Sequence, residues 1–101
     1  MTHAHETQSS IQKWADTTFG PAYDQSVLVD RAAIEITELK EAVVNNNLID
    51  IGKEAADVII LLMRLLENYG LDMQDEVTKK MQENRNRKWR AKGDGTGSHV
   101  K

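Results

Sequence analysis

The chain of 101 residues has room for one domain with a small core, and its lack of cysteine removes disulfides, thiolate chemistry and cysteine-type zinc sites. A formal net charge of -3 argues against a protein that coats nucleic acid. The polar start MTHAHETQSS has no apolar segment of the signal-peptide kind, and the longest apolar run, Val58 to Met63, ends at Arg64, far short of a membrane span. A soluble, cytoplasmic protein is the expectation.

No segment alternates as a strand would, and no repeat is visible, so the reading is four helices. His3 and His5, in the polar start, carry no argument. The first helix runs from about Thr7 to Thr17 and is ended by Phe19-Gly20-Pro21, because glycine suits a helix stop and the proline after it cannot continue one. The second starts near Asp24 or Ser26, either of which can cap it, and runs to about Val44. Asn45-Asn46-Asn47 is a turn signal that also offers a cap for the third helix, about Leu48 to Tyr69, stopped at Gly70. Asp72 caps the fourth, whose first turn holds Asp75 and Glu76, where the helix dipole favours negative charge; it runs to about Trp89. From Ala91 on, the glycine-rich AKGDGTGSHVK reads as a flexible tail, giving a helical domain over 1–90 and a tail over 91–101. Gly93-Asp94-Gly95-Thr96-Gly97 superficially suggests a phosphate loop, but it follows no strand and lacks the lysine–serine/threonine ending.

The short turn between the two long helices makes them an antiparallel hairpin in an all-α, four-helix bundle. The third helix is apolar almost all round from Val58 to Leu62, and four helices of this size can hardly cover it. A homo-oligomer, a dimer or a dimer of dimers, is therefore expected.

Carboxylates mark the same two helices. With about 100° per residue, Leu28, Ala32, Leu39, Ala42 and Val43 form one apolar stripe on the second helix. Glu35 falls inside it, Glu38 at its margin and Glu41 well outside. On the third helix Ile51, Val58, Leu61 and Leu65 form the inward stripe, with Glu54 inside it and Asp57 at its margin. Either pair alone reads as a solvated face. Two i, i+3 pairs on consecutive helices, both meeting apolar stripes, are a different pattern, because like charges brought together out of water raise one another's pKa. Divalent cations relieve this. Mg²⁺ prefers oxygen ligands and needs only one or two carboxylates per ion, with Mn²⁺ as a substitute. No histidine sits at a ligand spacing on these helices, which argues against a di-iron site.

These residues also resemble a known pattern. Glu35-x-x-Glu38, fifteen residues, then Glu54-x-x-Asp57 is similar to the ExxE…ExxD motif of the all-α nucleoside triphosphate pyrophosphohydrolases, which include MazG proteins, dimeric dUTPases and phosphoribosyl-ATP pyrophosphohydrolases. Lys80-Met-x-x-Asn84-x-x-Arg87-x-Trp89 resembles a signature of the MazG branch, and Trp14-Ala-Asp-Thr-Thr-Phe19-Gly-Pro21 resembles the start of small MazG-like dATP/dGTP diphosphohydrolases. The likeness covers about residues 10 to 90. It departs at Ile34 and Lys53, where the family often has a second glutamate.

The resemblance implies hydrolysis of a nucleoside triphosphate, a purine deoxynucleotide favoured, to the monophosphate and pyrophosphate. Divalent metal would be held by Glu35, Glu38, Glu54 and Asp57, with Glu38 as candidate base because it lies at the stripe margin. Lys80, Asn84 and Arg87 share one helix face and are candidates for phosphate and sugar, against the plainer reading of a basic solvated helix end. Trp14 and Phe19 are candidate walls of a base pocket, or else close the core; Trp89 is read as packing. Arg64, two turns beyond Asp57 on a similar face, would meet a carboxylate or a phosphate. Alternatives are a dUTPase-like or phosphoribosyl-ATP pyrophosphohydrolase of the same superfamily, and a non-enzymatic helical module binding nucleic acid or a partner through its basic end.

Overall fold

The computed structural model describes residues 5–101; His3 lies outside them. Four helices follow in order, α1 (Gln8–Phe19), α2 (Ser26–Val44), α3 (Leu48–Asn68) and α4 (Met73–Arg85), and then two short strands, β1 (Trp89–Ala91) and β2 (Gly97–His99). Local chemistry sets these boundaries. Thr7 and Ser10 form a reciprocal capping box at the start of α1, and Gly20, at φ 83°, ends it. Asn46 adopts φ 58° in the turn after α2, a conformation asparagine tolerates, and Asn47 caps α3 by accepting from the Asp50 N–H at 3.1 Å. At the end of α3, Gly70 sits at φ 70° while the Leu71 N–H reaches back to the Leu66 carbonyl at 2.9 Å. This is a Schellman stop, which requires the left-handed residue supplied here by glycine. Asp72 caps α4 through the Asp75 N–H at 3.0 Å.

The body is the antiparallel α2–α3 hairpin with α1 laid on α3. Gln8 ties the start of α1 to the far end of α3. Its side-chain amide donates to Glu67 at 2.8 Å and to the Leu71 carbonyl at 2.7 Å, and its Oε1 accepts from the Met73 N–H at 2.8 Å. Further along, Gln12 bonds Asn68, which in turn donates to Gln25 at 2.7 Å, so α1, α2 and α3 are stitched together at one end.

The core is thin. Among the described residues the buried apolar side chains are Ala15, Leu28, Ala32 and Ala42, and the buried charged one is Arg64. Small alanines let α2 approach α3 closely, but little apolar volume is enclosed. Two expectations for the stripes need correction: Val43 is exposed rather than inward, and the α3 residues Ile51, Val58, Leu61 and Leu65 are only half-buried.

The C-terminal region also differs from the sequence reading. α4 stops at Arg85, short of Trp89, because the chain turns at Asn86 and the Trp89 indole N–H donates to the Asn84 carbonyl at 2.7 Å, satisfying the helix end. The segment expected to be a structureless tail forms a β-hairpin instead, pairing Trp89 with His99, Arg90 with Ser98 and Ala91 with Gly97. Gly93 and Gly95 take φ 95° and 92° in its loop. Gly97 is fixed by space, since a Cβ there would lie 2.5 Å from the Arg90 carbonyl oxygen.

Two outcomes follow. Asn47→Ala should lower unfolding free energy by about 1 kcal/mol in urea titration, the usual loss of a helix cap. Gly97→Ala should disperse the cross-strand amide contacts of the hairpin in NMR spectra while far-UV helicity is retained.

Candidate metal and nucleotide site

The helix periodicity that placed Glu35 and Glu38 on one face of α2 and Glu54 on the facing side of α3 brings the three together. One carboxylate oxygen from each lies within 4.8 Å of the others. Glu35 is only 13% exposed, and on its outer side it meets Arg31 one turn earlier at 3.6 Å. Glu54 is half-buried, and its Oε2 is enclosed with no hydrogen-bond partner. Buried acceptors seldom remain without a donor or a cation, so this atom marks the cluster as a place for a shared proton or a cation.

The electrostatics agree. The adjacent Glu35 carboxylate, then burial, then Glu38 push the Glu54 carboxyl up to about 7 from its ordinary 4.5. Such a group holds a proton near neutrality in the absence of a cation. The donor set is all oxygen and carries up to three negative charges, which suits a hard divalent ion such as Mg²⁺ or Mn²⁺.

A cleft of about 300 Å³ opens beside the cluster, toward the α2–α3 turn. Glu38 and Glu54 line it, joined by Glu41, Asn45, Asn47 and Asp50. Glu41 lies outside the inward stripe of α2. It lines the cleft because the cleft lies at the margin of the helix pair, where a residue one turn after Glu38 looks toward the turn. Asp57 is not part of the cluster among the described residues. It is exposed on α3, one turn after Glu54.

The other candidates stand apart. No residue of α4 lines the cleft. Lys80 on α4 meets Glu83 at 3.1 Å, and Arg87, which lies past the end of α4 rather than on its face as expected, pairs with the same carboxylate; the Glu83 pKa is lowered, chiefly through the Lys80 hydrogen bond. Asn84 is half-buried, with its Oδ1 enclosed and unpartnered. Trp14 and Phe19 do not close the core: they are 56% and 67% exposed and meet edge to face, ring centroids 5.4 Å apart. Trp89 is half exposed against His99.

The raised Glu54 carboxyl gives a pH signature. In a chelator the folded cluster binds a proton between about pH 4.5 and 7 where the unfolded chain does not, so this group's contribution to stability is full below 4.5 and is lost as pH rises through 7. In Glu54→Gln that loss should be missing. The Tm difference, variant minus parent, should therefore widen in the variant's favour from pH 5 to pH 7. Mn²⁺, competing with the proton, should raise the parent's Tm more at pH 7.5 than at pH 5 and do little for the variant.

The chain is similar to several known proteins. The profile of the phosphoribosyl-ATP pyrophosphohydrolase family matches residues 5–85. A dATP/dGTP diphosphohydrolase of Salmonella phage PMBT28 is 36% identical over 95 residues, 94% of this chain, although the chain spans only 31% of that relative. Among solved structures, a cyanophage S-2L MazG-like pyrophosphohydrolase bound to dGDP and three catalytic Mn²⁺ ions per active site superposes with a TM-score of 0.74 at 24% identity, covering 93% of each chain. The chain belongs to the phosphoribosyl-ATP pyrophosphohydrolase family and has the MazG-like all-α pyrophosphohydrolase fold.

Proposed function

We propose that the protein is a divalent-metal-dependent pyrophosphohydrolase that converts purine deoxynucleoside triphosphates, dATP and dGTP, to the monophosphate and pyrophosphate. The observation that carries this reading is the Glu35–Glu38–Glu54 cluster with an enclosed, unpartnered oxygen on Glu54. The phage dATP/dGTP diphosphohydrolase and the Mn²⁺–dGDP complex support the substrate class and the metal.

In this reading Glu35 and Glu54, the less exposed pair, hold metal, and Asp57 and Glu38 complete the set from the solvent side. Bound Mg²⁺ or Mn²⁺ would neutralise the phosphate oxygens and the leaving pyrophosphate. Glu38 is exposed at the cleft, the position from which a carboxylate accepts a proton from an attacking water. That water supplies the oxygen for one product, its proton passes to Glu38, and the phosphoanhydride bond breaks between the α and β phosphorus. Lys80, Asn84 and Arg87 would reach phosphate or sugar only after Lys80 and Arg87 exchange Glu83 for substrate. Trp14 and Phe19 wall the base. The chain would act as a dimer or dimer of dimers, with Ile36, Ile59 and Leu62, exposed on α2 and α3, covered by another copy.

A second reading, favoured by the family profile, is hydrolysis of phosphoribosyl-ATP by the same cluster. A panel of canonical dNTPs, NTPs and phosphoribosyl-ATP, with Mg²⁺, Mn²⁺ or chelator and with products identified, separates the two. The proposal expects metal-dependent release of pyrophosphate, dATP and dGTP turned over fastest. Turnover confined to phosphoribosyl-ATP would select the second reading, and release of orthophosphate would reject both. Glu38→Gln should lower kcat by about 10²- to 10⁴-fold, the usual worth of a general base, while Mn²⁺ still raises Tm.

A further inference from the structure

Charge is divided along the chain. Residues 79–101 hold eight of the thirteen lysines and arginines and two of the sixteen acidic residues, so this stretch carries +6 while residues 1–78 carry -9. The net -3 that argues against a coat for nucleic acid is thus the average of an acidic body and a basic segment. Much of the basic segment is the β1–β2 hairpin, and residues 88–101 are all exposed.

Strand pairing orders the cations. The Val100 N–H donates to the Lys88 carbonyl at 2.9 Å and the Lys92 N–H to the Thr96 carbonyl at 2.8 Å, which extends the ladder one residue past each end of β1. Side chains alternate across a strand, so Lys88, Arg90 and Lys92 share one face, about 6.7 Å from each to the next. Val100, Ser98 and Thr96 stand opposite, and none is acidic. Lys80 and Arg87 are answered by Glu83, whereas Lys88, Arg90 and Lys92 form no ion pair with a described carboxylate. Asp94, in the hairpin loop, accepts from the Thr96 N–H and hydroxyl at 2.9 and 2.7 Å. The opposite face carries Trp89 beside His99, ring centroids 5.8 Å apart. The indole N–H is held by the Asn84 carbonyl, and about half of the side chain stays open to solvent.

We infer that the β1–β2 hairpin is a docking surface for single-stranded nucleic acid, with phosphates along Lys88, Arg90 and Lys92 and a base on Trp89. The inference does not rest on the carboxylate cluster being catalytic. A row of like charges repels itself and is relieved by an anion that repeats along a line, as a phosphate backbone does. An acidic protein surface would answer the charge but would leave the ring unused. Cations beside an open aromatic face are the combination that holds single strands, and only an unstacked base can reach the ring. The ribbon is two strands wide, about 5 Å between them, so a nucleotide chain lying along β1 reaches both faces.

The test is fluorescence anisotropy of labelled oligothymidylate, twenty nucleotides long, with the intact chain in chelator, so that no metal ion bridges phosphate to the carboxylates. In the parent, log affinity should fall against log salt with a slope of about -2, the value for three phosphates of a single strand, or about 20-fold from 50 to 200 mM NaCl. Combined Lys88→Ala, Arg90→Ala and Lys92→Ala should weaken binding at 50 mM NaCl by at least about tenfold and flatten the slope. Far-UV helicity, dNTP turnover and the Mn²⁺-induced rise in Tm should be unchanged in that variant. Combined Lys88→Arg, Arg90→Lys and Lys92→Arg, which keeps the charges, should bind as the parent does. A base-less oligomer of equal charge should bind at least about fivefold more weakly, for want of stacking. Binding indifferent to salt, unaltered affinity in the alanine variant, equal affinity for the base-less oligomer, or tighter binding of the duplex with oligoadenylate would each overturn the inference. So would a parent that binds no oligonucleotide but self-associates at low salt through these three residues, which would assign the hairpin to the acidic body of a second copy. A parent that hydrolyses nothing yet passes these binding tests would reject the proposed function and leave the hairpin surface standing.

Discussion

Everything in this structure turns on a repulsion. Three carboxylates converge between two packed helices, and the crowding pushes the Glu54 carboxyl up to about 7. The fold forces them together. The short Asn45–Asn47 turn makes α2 and α3 antiparallel, and alanines 32 and 42 allow close approach. The i, i+3 spacing on α2 then puts two glutamates opposite Glu54. A proton or a cation must settle the account. The raised Glu54 carboxyl is the proton solution, and a divalent ion is the one that leaves all three available for chemistry.

Charge of the opposite sign is arranged with equal economy. Lys80 on α4 and Arg87, just past its end, share Glu83, so their charge is answered locally. Arg31 serves Glu35 at the outer edge of the cluster. Arg64 alone among these is buried without an answering carboxylate, under an aromatic ring rather than in water. The α3 helix therefore carries a partly buried negative end and a buried positive end, separated by apolar residues that hold both in register.

Much of this could be read in the sequence, and the failures have physical causes. The helices and the hairpin were legible because caps, glycines and a 3.6-residue period all agreed. The approach of Glu35 and Glu54 was legible because carboxylates inside apolar stripes contradict their own solvation, and Glu38 followed from its i, i+3 spacing to Glu35 at the stripe margin. Asp57 matched the motif yet stands outside the cluster, because position on a helix face does not fix which way a marginal side chain turns. Glu41 and Asp50 were missed because the cleft they line is made by the turn, which a helical projection does not contain. The β-hairpin was missed because its Asp94-Gly95 turn signal lies between flanks that do not alternate apolar and polar. The burial of Arg64 comes from α1 crossing α3, a tertiary contact with no local trace.

The same division explains why family membership says more about the reaction than about the substrate. Under the proposed reading, phosphates and metal are handled by α2 and α3, where the recognisable ExxE…ExxD spacing lies. Under the same reading Trp14 and Phe19, toward the end of α1, would wall the base. A cluster of carboxylates with cations responds to phosphate charge and is indifferent to what hangs from the sugar. Discrimination among bases requires directed donors and a shaped wall at the other end of the ligand. The matched family and the phage relative are named for different substrates, phosphoribosyl-ATP and dATP/dGTP, which a metal cluster responding to phosphate charge would not by itself tell apart.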